Sequence, residues 1–254
     1  MIPALAELSA LQWATYGVAV LLVGFSKTAA PGLGVAVVAL LASAFPARAS
    51  TGLLLTVLIS GDVTAVIYYR RSAEWRHMAR LLPWTAVGVV VGFLLLGRID
   101  DQQLAVLMAA LVVGLVGGTM ALDATADLGE RVPRRWWFAA IMGTLAGATT
   151  MLSNAAGPIV TVYLLAMALP KREFLGTGAW FYLTVNVLKV PFSASLGLIT
   201  PATLTMNAAA IPVVLAGGLL GIQLIKRIPE RAFRIAMRAL AVAAAVRLAL
   251  WALL

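Results

Sequence analysis

Three apolar runs, at 51–69, 79–97 and 103–122, are followed in the second half of the chain by three more, at 174–196, 207–225 and 232–254. This recurrence constrains the fold more than any other feature. A helix needs about 20 apolar residues to cross the ~30 Å hydrocarbon core of a bilayer, so each run reads as a transmembrane helix and the chain as an all-α, polytopic membrane protein. Composition agrees, since 62% of the residues are hydrophobic, 11% are charged and the mean hydropathy is +0.99. A soluble globule of this size does not need such values. The N-terminal MIPALAELSA lacks a basic segment of the kind that opens a cleavable signal, so the first apolar stretch is expected to remain.

Ahead of each trio lies an element of another kind, an apolar stretch (11–45, then 136–169) broken near its middle by SKTAAPGLG or SNAAGP. Each piece beside a break is roughly 14 residues, or about 21 Å of helix, too short to cross alone. A re-entrant helical hairpin fits these lengths. Two short spans in its place would give five crossings per half with the same parity.

The halves also align with each other. An offset of 129 sets Pro83 on Pro212, Gly88 on Gly217, Gly92 on Gly221, Arg98 on Arg227, Met108 on Met237 and Leu111 on Leu240. Upstream, an offset of 124 sets Pro46 on Pro170, Arg48 on Arg172, Gly52 on Gly176 and Asp62 on Asn186, so the second copy carries about five extra residues near Leu196 to Pro201. The expected organisation is a first repeat (1–123), a cytoplasmic linker (124–135) and a second repeat (136–254) within one membrane domain.

Loop charges give the relative orientation of the copies, because Lys and Arg accumulate on the cytoplasmic side. The loop after the first span holds Arg70, Arg71, Arg76 and Arg80 in the first copy, and the equivalent 197–206 carries no charge. The next loop reverses this: Arg98 stands with Asp100 and Asp101, against Lys226, Arg227, Arg231 and Arg234 in the second copy. With basic loops inside, the linker around Arg131, Arg134 and Arg135 is cytoplasmic and both termini lie outside. The copies then have inverted topology, each a broken hairpin plus three spans, as in many secondary transporters. The net charge of +9 thus reports orientation in a membrane rather than nucleic-acid binding.

Non-helical backbone at membrane depth requires surrounding protein or a cavity. The helices resuming after Gly32 and Gly157 point positive dipole ends into such a cavity, a setting for an anion. Three ionisable residues lie inside the apolar segments, Lys27, Asp62 and Lys189, and intramembrane charge marks function by default. Lys189 shares a helix face with Asn186. Two cations against one carboxylate predict a small anionic substrate, bound by Lys27 with Ser26 and Thr28, by Gly32, Ser153, Asn154 and Gly157 at the breaks, and by Asn186 and Lys189. Asp62 is a candidate for ion pairing or proton coupling. Each has a structural alternative: Lys189 as a snorkelling residue near the Pro191 kink, Asp62 as a partner of Ser60 or Thr64, and Ser153 and Asn154 as local caps. Gly88, Gly92, Gly217 and Gly221 read as helix contacts, and His77, Trp136 and Trp137 as interfacial residues. Neither metal nor cofactor is called for, the chain has no cysteine, and homo-oligomerisation is left open.

Taken together, GFSKTAAPGLG with FPARAS, SGDVTAVIYYRR before EW, LLPWTAVGVVVGFLLLGRI, SNAAGPIVTVYLLAMALPKREFLGT and FYLTVNVLKVPF resemble the TauE/SafE sulfite exporter family across nearly the whole chain. The resemblance implies a bacterial inner-membrane transporter for sulfite, sulfonates or related organosulfur anions, discussed as an exporter. Two other classes share parts of the pattern. A passive anion channel would share the pocket without coupling. A membrane lipid-phosphate hydrolase would need clustered carboxylates and a phosphate-binding Arg, which the isolated Asp62 and His77 do not supply.

Overall fold

The computed structural model describes residues 8–98, Asp100, Gln103, 136–233, Ile235 and Ala236. Its regular structure there is helical: α1 (Ala10–Ala29), α2 (Gly34–Ala42), α3 (Ala47–Tyr69), α4 (Trp75–Leu96), α5 (Trp136–Ser153), α6 (Gly157–Ala166), α7 (Lys171–Ser195) and α8 (Pro201–Arg227). The runs at 103–122 and 232–254 and the linker with Arg131, Arg134 and Arg135 fall almost entirely outside the described residues. Helices α3, α4 and α8 are each long and apolar enough to cross a membrane. Large apolar side chains such as Ile67, Val87, Leu94, Ile141, Leu219 and Leu220 are exposed along them and along α5, as on a surface whose solvent is lipid.

The helix boundaries follow from local chemistry. A capping box starts α1, with Ser9 Oγ accepting from the Gln12 amide at 3.2 Å and Gln12 Oε1 accepting from the Ser9 amide at 3.0 Å. It stops before Pro31, where a 3-10 turn (Pro31–Leu33) intervenes before α2. Helix α5 ends at Asn154, whose φ of 56° lies in the left-handed region that Asn tolerates better than most residues. Helices α3 and α7 both begin directly after a proline, Pro46 and Pro170. A second capping box, Thr200 with Thr203, starts α8.

Both broken segments are hairpins. Gln12 Nε2 donates to the Ala44 carbonyl at 3.1 Å, which ties the start of α1 to the end of the returning arm. In the second half the Phe138 and Tyr163 rings stack at 5.8 Å, joining the start of α5 to the end of α6. The arms are unequal, which corrects the expectation of two 14-residue pieces. The outgoing arms have 20 and 18 residues, about 30 and 27 Å, and the returning arms 9 and 10. The difference arises because no proline interrupts 10–29 or 136–153, whereas Ser43 to Pro46 and Ala168 to Pro170 end the return early.

The most extensive packing is exchanged between the halves: α1 lies against α8 and α5 against α4. Glycine makes both contacts. A Cβ on Gly24 would run into Val214 and Gly218, and one on Gly147 into Thr85 and Val89. Likewise Gly217 meets Leu21 and Phe25, and Gly88 meets Thr144 and Ala148. These pairs are equivalent under the 129 offset for α4 and α8 and an offset of 123 for the hairpins. Small residues bring the backbones close enough for dispersion to hold them, as helix association in lipid requires. Helices α3 and α7 cross antiparallel, Asp62 facing Asn186, Gly52 facing Leu198 and Gly176 facing Ser72.

Candidate functional site

The α3–α7 crossing and the two hairpin breaks converge on one buried network. Lys27 sits in the last turn of α1, and its stem passes Gly61 of α3, where a Cβ would lie 3.1 Å from Lys27 Cγ. That passage delivers the ammonium to Asp62, with Nζ 2.7 Å from Oδ1, and over the Tyr182 ring, 4.4 Å from its centroid. Asp62 is fully buried, and its second oxygen accepts from Asn186 Nδ2 at 2.6 Å. Asn186 in turn accepts, through Oδ1, from Lys189 Nζ at 3.3 Å.

Lys189 is 1% exposed and has no carboxylate among its hydrogen-bond partners. Besides Asn186 it donates to Asn154 Oδ1 at 2.6 Å and Thr150 Oγ1 at 3.1 Å. Asn154 donates to the Thr51 carbonyl at 3.0 Å, which anchors the second break on α3. The network holds two lysines and one aspartate, so with all three ionised it would bury a net positive charge where desolvation makes it costly. An anion would offset that cost.

A cavity of about 20 Å³ lies beside the network, room for roughly one water molecule. Its lining draws on both halves at equivalent positions: Lys27 with Thr150, Pro31 with Asn154, Gly34 with Gly157, at the 123 offset, and Leu58 with Tyr182 at 124. Gly34 and Gly157 are the first residues of α2 and α6, so two positive helix ends share the cavity.

The sequence-predicted residues divide into those at the cavity and those beside it. Ser26, Lys27, Asn154, Gly157 and Asn186 line it, and Lys189 and Asp62 complete the network behind. Thr28 faces away, donating to the Gly218 carbonyl at 3.0 Å in the α1–α8 contact. Ser153 donates to the Thr149 carbonyl of its own helix, a local bond. Gly32 lies in the 3-10 turn, and the helix resumes two residues later, at Gly34. Asp62 pairs with Lys27 rather than with Ser60 or Thr64, which donate to their own backbone. His77 belongs to the first turn of α4, its ring 6.3 Å from that of Tyr163. Sequence reasoning missed Thr150 and Tyr182. The repeat carried the signal, since at the 123 offset Thr150 falls on Lys27. No group of metal-ligating side chains occurs among the described residues.

The chain is 27% identical over 179 residues, 70% of its length and 73% of the relative's, to a probable inner membrane transporter protein, TsaS, of Comamonas testosteroni. No solved structure matches it. The profile of the sulfite exporter TauE/SafE family matches residues 16–248, so that the buried cationic site lies within the matched span and the chain belongs to this family of membrane transporters, not to a family of enzymes.

Proposed function

We propose that the protein carries a small sulfur-containing anion, sulfite or a sulfonate, across the bacterial inner membrane by alternating access around the cavity beside Lys27. One observation carries the reading: Lys27 lines a small cavity built from equivalent residues of both halves, and Asp62 and Lys189 complete the hydrogen-bonded network directly behind it. The choice of sulfur rests on family membership. In this reading Lys27 leaves Asp62 for the incoming anion, Lys189 turns from Asn154 toward it, and Asp62 keeps Asn186 as donor or takes up a coupling proton. A cavity of about 20 Å³ is too small for sulfite, so binding requires the walls to part.

The antiparallel α3–α7 crossing and the exchanged glycine contacts support inverted repeats, and with the loop charges they support termini on the outer side. The small size of the cavity, about 20 Å³, favours a carrier that must rearrange over a continuously open channel. Flux in proteoliposomes, run for sulfite, sulfoacetate, taurine and simple carboxylates with and without a proton gradient, tests this. Saturable flux of a sulfur anion that falls at least about tenfold in both Lys27→Ala and Lys189→Ala is expected, as for loss of a charged hydrogen-bonding partner. Wild-type rates in both folded variants would remove the proposed site.

A further inference from the structure

A second cavity, of about 330 Å³, opens at the end of the molecule where α3 and α8 finish and α7 begins. Tyr68, Tyr69, Lys171, Arg172, Leu175, Ile225 and Lys226 line it, three cations and no carboxylate. Lys171 is committed, its Nζ donating to the Ile225 and Ile228 carbonyls at 3.1 and 2.6 Å, where it closes the end of α8. Glu230 accepts from the Lys171 backbone amide at 3.0 and 3.1 Å, and Glu173 follows Arg172 in the same turn without lining the cavity. Arg172 and Lys226 are exposed, and Lys226 Nζ stands 5.6 Å from the centre of the Tyr68 ring. Tyr69 forms the buried floor. Its hydroxyl donates to the Thr28 carbonyl at 2.8 Å, one residue from Lys27, so this cavity and the central site touch the same turn of α1.

The equivalent end of the other half is built differently. Where this cavity has Tyr68, Tyr69, Lys171, Ile225 and Lys226, the repeat offsets place Phe192, Ser193, Ala47, Leu96 and Gly97, and of its cations only Arg172 has a basic counterpart, Arg48. The basic cavity is therefore one-sided, and the repeat alone does not require it. It is also more than tenfold larger than the central one and open to solvent-sized anions without rearrangement.

We propose that this cavity is a second anion site, a vestibule in which Arg172 and Lys226 hold an oxyanion, with the Tyr68 and Tyr69 rings as its walls. Resting on the transport reading above, the vestibule serves as the loading position for the central site on one face of the membrane. It lowers the half-saturating concentration on that face and leaves the direction of net flow to the gradient. An anionic lipid headgroup presents the same oxyanion chemistry and is the other source of a ligand.

Radiolabelled sulfite binding to the full-length protein in nanodiscs tests the proposal. In neutral phosphatidylcholine the wild type is expected to show two classes of site. Lys27→Gln should remove one, and Arg172→Gln with Lys226→Gln the other, the weaker and more salt-sensitive because its cations are exposed. The exchange Arg172→Lys with Lys226→Arg should keep the second class within about threefold, as the charge is retained. In phosphatidylglycerol nanodiscs, loss of the weaker class in wild type assigns the site to lipid headgroups, and its retention assigns it to the free anion. Loss of all binding in Lys27→Gln, or unchanged binding in Arg172→Gln with Lys226→Gln, overturns the vestibule. Two classes persisting in Lys27→Gln would instead overturn the central site and leave the vestibule to be judged on its own variant.

Discussion

Asp62 holds the described network together, because it is the carboxylate that both Lys27 and Asn186 reach. Asp62→Asn leaves the Lys27 ammonium without its counter-charge in a nearly buried position, a loss that costs about 3–5 kcal/mol when one partner of a buried pair is removed. The melting temperature of the detergent-solubilised variant is expected to fall accordingly, and Asp62→Asn with Lys27→Gln should recover much of it. Equal melting of the single and double variants would show that the pair is not what stabilises the break. At this scale the sequence was informative about charge and silent about neutral groups. Lys27, Asp62 and Lys189 stand out because charge in an apolar run is rare, and the network joins them. Thr150 and Tyr182 do not stand out, since a threonine or tyrosine in a membrane helix has many uses and only the folded chain aims these two at the same cavity.

At the scale of elements, the α1–α8 and α5–α4 contacts depend on glycines that no side chain can replace without moving a helix. Gly24→Ala and Gly147→Ala each drive a methyl into backbone of the facing helix, an overpacking that costs about 1–3 kcal/mol. Gly17→Ala is the control, as a Cβ there meets nothing within 4 Å. Folded yield by fluorescence-detected size exclusion should drop for the first two and stay at wild type for the third. The equivalence of Gly24 with Gly147 predicts drops of similar size, and a drop in only one would argue against equivalent packing in the two halves. The hairpins show where sequence patterning runs short. A break is legible from Pro31 or from Asn154 with Pro158, but the lengths of the arms are set by where the returning chain leaves the helix.

For the whole molecule, sidedness is the test of the inverted arrangement. The chain has no cysteine, so single cysteines can be placed at Arg71 and at Gly197, in the loops after α3 and α7. A membrane-impermeant maleimide added to intact cells is expected to label the Gly197→Cys protein and to reach Arg71→Cys only after permeabilisation. Labelling of both from one side would overturn the inversion. By itself the sequence determined the membrane class and showed where its two halves align and which ionisable residues lie in its apolar runs. These properties are read from runs, offsets and counts along the chain, and a bilayer leaves an apolar segment few structures to adopt. Tertiary structure alone decided which helices touch, that Lys27 rather than Lys189 takes Asp62, and that residues from both hairpins line one cavity. Those outcomes depend on distances between helices, which small residues and hydrogen bonds set across segments more than 100 positions apart.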